Sequence, residues 1–128
     1  MRNAHIYSSY QITMDQIAKR LSSRDCAKVL KALAEGIRLE IIQCLFKGES
    51  CVSEIARKIG KNHSQVSHHL GVLKNSGLVV DKKEGKFVIY QVHPVLYKQF
   101  KSARNRNALD FKCCSIEFRN RFLEKSRG

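Results

Sequence analysis

Cys51-Val-Ser-Glu-Ile-Ala-Arg-Lys-Ile-Gly-Lys-Asn-His-Ser-Gln-Val-Ser-His-His-Leu-Gly-Val-Leu-Lys-Asn-Ser-Gly-Leu78 spells two short amphipathic helices hinged at Gly60. In the first, Val52, Ile55, Ala56 and Ile59 fall at the spacing that puts apolar side chains on one helical face, and Ser50 is placed to cap its start. The second is predicted over residues 64–76, with Val66, Leu70 and Leu73 turned inward and Gly77 suited to a left-handed stop. The outer face of this second helix carries Asn62, His63, Ser64, Gln65, Ser67, His68, Gly71 and Lys74, short hydrogen-bonding groups with no acidic residue among them. Such a face suits the major groove, where hydroxyl, amide and imidazole groups read base edges while helix N–H groups meet phosphate. An ordinary solvated face would look similar, so the flanking sequence has to decide.

Directly after Gly77 come two β-rich runs. Leu78 and Val80 alternate in the first, Val88, Tyr90 and Val92 in the second, and Glu84-Gly85 reads as the turn between them. Lys82, Lys83 and Lys86 crowd the hairpin tip. A helix-turn-helix followed by a basic hairpin predicts a winged helix, mainly α with a β-hairpin wing, whose wing grips phosphates beside the groove that the helix enters.

These residues resemble the ArsR/SmtB family of metal- and stress-sensing regulators. The resemblance rests on Leu33-Ala-Glu-Gly-Ile-Arg-Leu-Glu-Ile-Ile42, on Glu49-Ser-Cys-Val-Ser-Glu-Ile55, on Ser64-x-x-Ser67-x-His69-Leu70-x-x-Leu73, and on Gly77-Leu-Val with Glu84-Gly-Lys and Tyr90. It runs over residues 24–100. It implies a dimeric winged helix binding an inverted-repeat operator in double-stranded DNA, a repressor released by a thiophilic metal(loid) such as arsenic(III) or by a redox signal. The alternative is a winged-helix regulator whose thiols sense nothing.

Charge and composition agree with a nucleic-acid partner. The 128 residues carry 24 Lys+Arg against 11 Asp+Glu, a formal charge of +13. That excess would also suit an anionic membrane surface or an acidic protein, and the winged helix favours DNA. No stretch approaches the roughly 20 apolar residues of a membrane span, and the polar opening lacks a signal-peptide core. A cytoplasmic location follows as the expectation, with the five cysteines reduced and available for packing, metal ligation or redox sensing.

Three regions are expected: a polar leader over 1–22 with a helix at Met14–Leu21, the winged-helix domain with flanking dimerisation helices over 23–103, and a basic tail over 104–128. Cys26, Val29, Leu30 and Leu33 form one apolar stripe, followed by Leu39, Ile41, Ile42, Leu45 and Phe46. Pro94 is placed to open a final helix in which Leu96, Phe100 and Ala103 share a face. In the resembling family the first and last helices make the dimer, so this stripe with Val29 and Leu33 reads as an interface, or else as part of the monomer core.

The resembling family's thiolate pair, Cys-x-Cys, is here Cys51-Val52-Ser53, so those two positions alone hold no soft metal. The family's other site, between the final helices, lacks its Asp-x-His and His-x-x-Glu or His-x-x-His pairs, and His93 stands alone. Cys113-Cys114 remains, in the tail with Arg104, Arg106, Lys112, Arg119, Arg121, Lys125 and Arg127. Leu109, Phe111 and Cys113 alternate in one phase and Cys114, Ile116 and Phe118 in the other, which hints at a backbone break that would let vicinal thiols converge. Cys51, at a helix N-terminus, would make a third sulfur. The alternative is that Cys113 or Cys114 is simply buried. Cys26 reads as core, Cys44 as ambiguous, His69 as packed within the domain and His68 as outward.

Cys51 and Arg57 also match the Cys-x5-Arg spacing of cysteine-dependent phosphatases. The residues between them contain no glycine and follow helical periodicity, so no phosphate-cradling loop is expected and an enzyme is not.

Overall fold

The computed structural model describes residues 22–100 and 106–118. Among these residues four helices come first: α1 (Ser23–Leu33), α2 (Gly36–Phe46), α3 (Val52–Ile59) and α4 (His63–Asn75). Five strands follow: β1 (Val79–Glu84), β2 (Phe87–Val92), β3 (Tyr97–Phe100), β4 (Arg106–Asp110) and β5 (Ser115–Phe118). The helix expected at Met14–Leu21, the stripe residue Ala103 and the basic residues Arg104, Arg119, Arg121, Lys125 and Arg127 lie outside the described residues.

Local chemistry sets the helix ends. Ser22 Oγ accepts from the Asp25 N–H at 3.2 Å to start α1. Gly60 closes α3 in the left-handed conformation at φ 71°, where its N–H donates to the Ala56 carbonyl. Asn62 and Gln65 form a reciprocal capping box at the start of α4. Gly77, at φ 88°, ends that helix, and the Leu78 N–H reaches back to the Leu73 carbonyl at 3.0 Å. Ser50 does not cap α3: it is buried and pairs with Tyr90 through both backbone bonds, adding one bridge to the edge of the wing. Cys51 takes the N-cap position instead, without a side-chain bond to the helix backbone.

The core lies where the three-helix unit meets the sheets. Ile41 and Ile42 of α2, Ile55 of α3, and Val66, Leu70 and Leu73 of α4 are fully buried together with Leu78 and Val79. Each side chain so removed from water contributes roughly 1.5–3 kcal/mol before conformational entropy is subtracted. Leu30 and Leu39 depart from the expected inward stripes; each is 37% exposed. Val29 and Leu33, expected at a dimer interface, are buried in the chain's own core.

β1 and β2 form an antiparallel pair with Val80 opposite Gln91 and Glu84 opposite Phe87. The turn is Gly85-Lys86, with Gly85 at φ 65°. Positive φ at the first central residue alone is the signature of a type II′ turn, which matches strand twist.

Beyond the wing the structure corrects the expected architecture. No final helix begins at Pro94. The His93 carbonyl accepts from the N–H groups of Leu96 and Tyr97, and the chain turns into β3. β3, β4 and β5 make a three-stranded antiparallel sheet in that order, with Leu109 facing Tyr97 on one side and Ile116 on the other. Leu96 completes the monomer core, whereas Phe100, its expected helical partner, is exposed. The boundary expected after residue 103 also fails, because Leu109, Phe111 and Phe118 belong to the same core as α1 to α4. Residues 106–118 are part of the domain and not a tail.

Candidate nucleic-acid interface and cysteine cluster

α4 presents Asn62, His63, Ser64, Gln65, Ser67 and His68 to solvent, all exposed, while Val66, Leu70 and Leu73 anchor its other side. Two of these polar groups also have structural duties. Asn62 Oδ1 accepts from the Gln65 N–H at 2.8 Å, and Gln65 Oε1 accepts from the Asn62 N–H at 3.5 Å. The Gln65 amide oxygen is therefore occupied while its NH2 group is not used in this box.

His69 turns toward the domain, as expected. Arg38 Nη1 lies 3.2 Å from His69 Nδ1, and because a guanidinium has no acceptor, Nδ1 must accept. The proton then sits on Nε2, which faces Glu35 Oε1 at 3.6 Å. Burial pushes the His69 pKa down; Glu35 pulls it up by a smaller amount and Arg38 pushes it down further. Neutral imidazole is thus the form that fits at pH 7, and the Glu35 contact is not an ion pair. Arg38 Nε also donates to the Ala32 carbonyl, so one side chain on α2 joins the end of α1 to the recognition helix α4.

The three lysines expected to grip phosphate from the wing, and Lys74 expected on the outer face of α4, divide. Lys74 is partly buried and donates to Asp81 Oδ2 at 2.9 Å, tying α4 to β1. Lys82 lies 3.4 Å from both Glu49 and Glu84, which raise its pKa through hydrogen bonding and charge. Lys83 and Lys86 are exposed at the tip beside Phe87, the most exposed large apolar side chain of the described residues at 58%. Sequence spacing marked Lys82, Lys83 and Lys86 alike at the tip, and pairing and packing single out Lys82 as the one held by Glu49 and Glu84.

The cysteines differ from expectation. Cys26 and Cys113 are joined by a disulfide across 87 residues, and Cys114 Sγ lies 3.7 Å from Cys26 Sγ and 4.0 Å from Cys113 Sγ. Cys26, read as mere core, is the residue that gathers the pair, and Cys51 does not join the cluster. The Cys51 thiol points instead toward Glu54 Oε1 at 4.0 Å. The backbone break between the alternation phases is real: residues 111–114 link β4 to β5, the Phe111 N–H donates to the Cys114 carbonyl, and Lys112 adopts φ 71°. A left-handed non-glycine residue costs about 1–2 kcal/mol, here offset in part by the Lys112 N–H bond to Asp110 Oδ1 at 2.9 Å.

Cys44 stands apart, 3% exposed, beside a cavity of about 240 Å³ lined also by Lys47, Lys58 and Ile59. Burial raises its thiol pKa despite the two nearby lysines. Cys51 is the N-cap of α3 and the residues from Val52 to Arg57 are regular helix, so no loop between the two can wrap a phosphate. Among the described residues no helix is long and apolar enough to cross a membrane.

This arrangement, a buried three-helix unit with a polar outer helix and a two-stranded wing, is that of a winged helix-turn-helix regulator. Residues 35–80 match the model of the arsR family of bacterial regulatory proteins. The chain is 31% identical over 106 residues to the biofilm growth-associated repressor of Xylella fastidiosa, covering 83% of this chain and 87% of that protein. It is 42% identical over 76 residues to a cadmium resistance transcriptional regulatory protein homolog of Staphylococcus aureus, covering 59% of this chain and 63% of the relative. With the arsenical resistance operon repressor of Escherichia coli it shares 37% over 68 residues, 52% of this chain and 58% of the relative. The chain thus spans about three-fifths of the length of these last two relatives. Among solved structures, a homodimeric winged helix-turn-helix DNA-binding domain from Mycobacterium bovis superposes with TM-score 0.53 at 40% identity, covering 55% of this chain and 65% of that one. The chain belongs to the ArsR family.

Proposed function

We propose that this chain is a sequence-specific transcriptional repressor that binds an inverted-repeat operator as a homodimer and is released by a thiophilic metal(loid) or an oxidant. The observation that carries the DNA reading is the exposed, acid-free face of α4 from Asn62 to His68, set beside a wing whose Lys83 and Lys86 project freely. Ser64, Ser67, His68 and the Gln65 amide are assigned to base edges and His63 to the groove entrance. Lys83 and Lys86 are assigned to phosphates. Lys82 and Lys74 serve mainly to hold the wing and α4 in place. Exposed Leu30 and Leu39 are apolar surface suited to a second copy. Cys113 and Cys114 are assigned to sensing, and a cytoplasmic location belongs to the same reading.

Selection from a random duplex library, followed by sedimentation of the complex, tests it. The expected result is a dyad-symmetric site with half-sites one duplex turn apart, roughly 34 Å, bound by two copies of the chain. Adding arsenite, cadmium or an oxidant should release the duplex. Failure to enrich any sequence, or a monomeric complex on a site without symmetry, would overturn the DNA reading.

A further inference from the structure

We propose that Cys26, Cys113 and Cys114 form a redox-gated site for one thiophilic trivalent metalloid, open when all three are thiols and closed by the Cys26–Cys113 disulfide. The proposal rests on the thiol-sensing part of the function above and adds the third ligand, the coordination geometry and the gate.

The three sulfurs lie within 4.8 Å of one another. An ion held by thiolates at about 2.3 Å with tetrahedral angles sets its sulfurs about 3.8 Å apart. Cys114 Sγ already stands 3.7 Å from Cys26 Sγ and 4.0 Å from Cys113 Sγ. Only the third pair must separate, and breaking the disulfide allows that. The convergence has a backbone cause, since left-handed Lys112 takes Cys113 and Cys114 out of strand alternation and brings both sulfurs to Cys26 of α1.

Ligand number selects the ion. Structural zinc takes four ligands, and among the described residues this group holds three. Thiolates favour soft ions, and a trivalent metalloid completes its bonding with three sulfurs and a lone pair.

The chemistry balances in two steps. A dithiol reductant gives two electrons and two protons to the Cys26–Cys113 bond and becomes a disulfide itself. The metalloid trihydroxide then exchanges its three hydroxides for three thiolates, each thiol proton leaving with a hydroxide as water. Because the disulfide and the ion use the same sulfurs, oxidation and ligation exclude one another.

The full chain, reduced by a phosphine that is then removed, is mixed with arsenite alone and followed by mass spectrometry and thiol titration. One arsenic per chain is expected, with titratable thiols falling from five to two. The chain carrying the Cys26–Cys113 disulfide should take none at the same concentration, and bound arsenite should delay re-formation of that disulfide. Cys114 is exposed, so Cys114→Ser leaves the core intact and should weaken binding roughly a hundredfold or more, the scale on which a linked contact acts. Cys44→Ser and Cys51→Ser should bind as the parent does. Equal binding by oxidised and reduced chain, or loss in Cys51→Ser with retention in Cys114→Ser, would overturn the site. No DNA is present in this assay. A chain that binds arsenite as described but keeps its operator therefore overturns release alone, and release without arsenic on the cluster overturns the site alone.

Discussion

Asn62 and Ser67 are both exposed near the start of α4, yet their substitutions should read out differently. Asn62 Oδ1 closes the capping box on the Gln65 N–H, so Asn62→Ala is expected to cost about 0.5–2 kcal/mol of stability, seen as a lower midpoint in thermal or urea unfolding. Ser67 is exposed on the helix that carries the proposed base contacts. Ser67→Ala should leave unfolding unchanged while reducing discrimination between operator and mismatched duplex by about 1–3 kcal/mol. Equal unfolding midpoints for Asn62→Ala and the parent would contradict the cap. Gln65 is a poorer probe of base reading than its position in the sequence implies, because its oxygen is committed to the cap. That double duty was half legible: an Asn-x-x-Gln spacing at a helix start signals a capping box, but an exposed polar face alone points only to readout.

At the scale of elements, α4 contains a glycine that no contact among the described residues requires. A methyl group built at Gly71 meets no atom within 4 Å, and the backbone there is helical. Gly71→Ala should therefore stabilise the fold by about 0.5–1 kcal/mol, and a drop in stability would show a contact that this packing lacks. The wing makes a separate prediction. Lys83→Ala or Lys86→Ala should weaken operator and random duplex alike and lower the salt slope by about 0.9 for each phosphate no longer neutralised. Lys82→Ala should change the slope less, since Glu49 and Glu84 already hold that ammonium. The helix-turn-helix and wing were readable because their signals are local: a period, a cap, a left-handed glycine, a tight turn. The segment after Pro94 misled for the converse reason. Three apolar positions at i, i+4 and i+7 make a short pattern, and what decides Tyr97–Phe100 is pairing with Arg106–Asp110, which lies later in the chain. The alternation on either side of Cys113-Cys114 did announce strands, but net positive charge made the region look like a tail. The cysteine cluster was legible only as a vicinal pair, because Cys26 joins it through packing of α1 across 87 residues.

At the scale of the whole molecule, burial of two histidines is expected to make stability depend on pH. His93 is fully buried, and burial lowers its pKa as it does that of His69. A histidine held neutral in the fold binds its proton more readily once unfolded. The stability it contributes is therefore complete above the ordinary value of 6.5 and is lost as pH falls below it. Unfolding midpoints should be flat from pH 8 to about 7 and decline towards pH 5, and equal midpoints at both ends would mean that neither ring is held neutral. We propose that His69 also links the cysteine cluster to α4. Cys26 is on α1; the Ala32 carbonyl near the end of α1 accepts from Arg38 Nε; Arg38 Nη1 donates to His69 on α4. Ligation that shifts α1 against the β4–β5 turn would alter this contact, and an effector acts on operator affinity only through such a difference between states. In the parent, arsenite is expected to lower operator affinity by a factor within about 5–150, the usual span of allosteric coupling. Arg38→Ala should bring that factor towards one while arsenite still binds the chain with the stoichiometry of the parent. Because Arg38 also supports the junction of α1 and α2, the measurement that decides is the ratio of operator affinities with and without arsenite, each taken on the same folded variant. An unchanged ratio would mean that coupling reaches α4 through the packed core of Val29, Ile41 and Leu70 instead of through the Arg38 bridge.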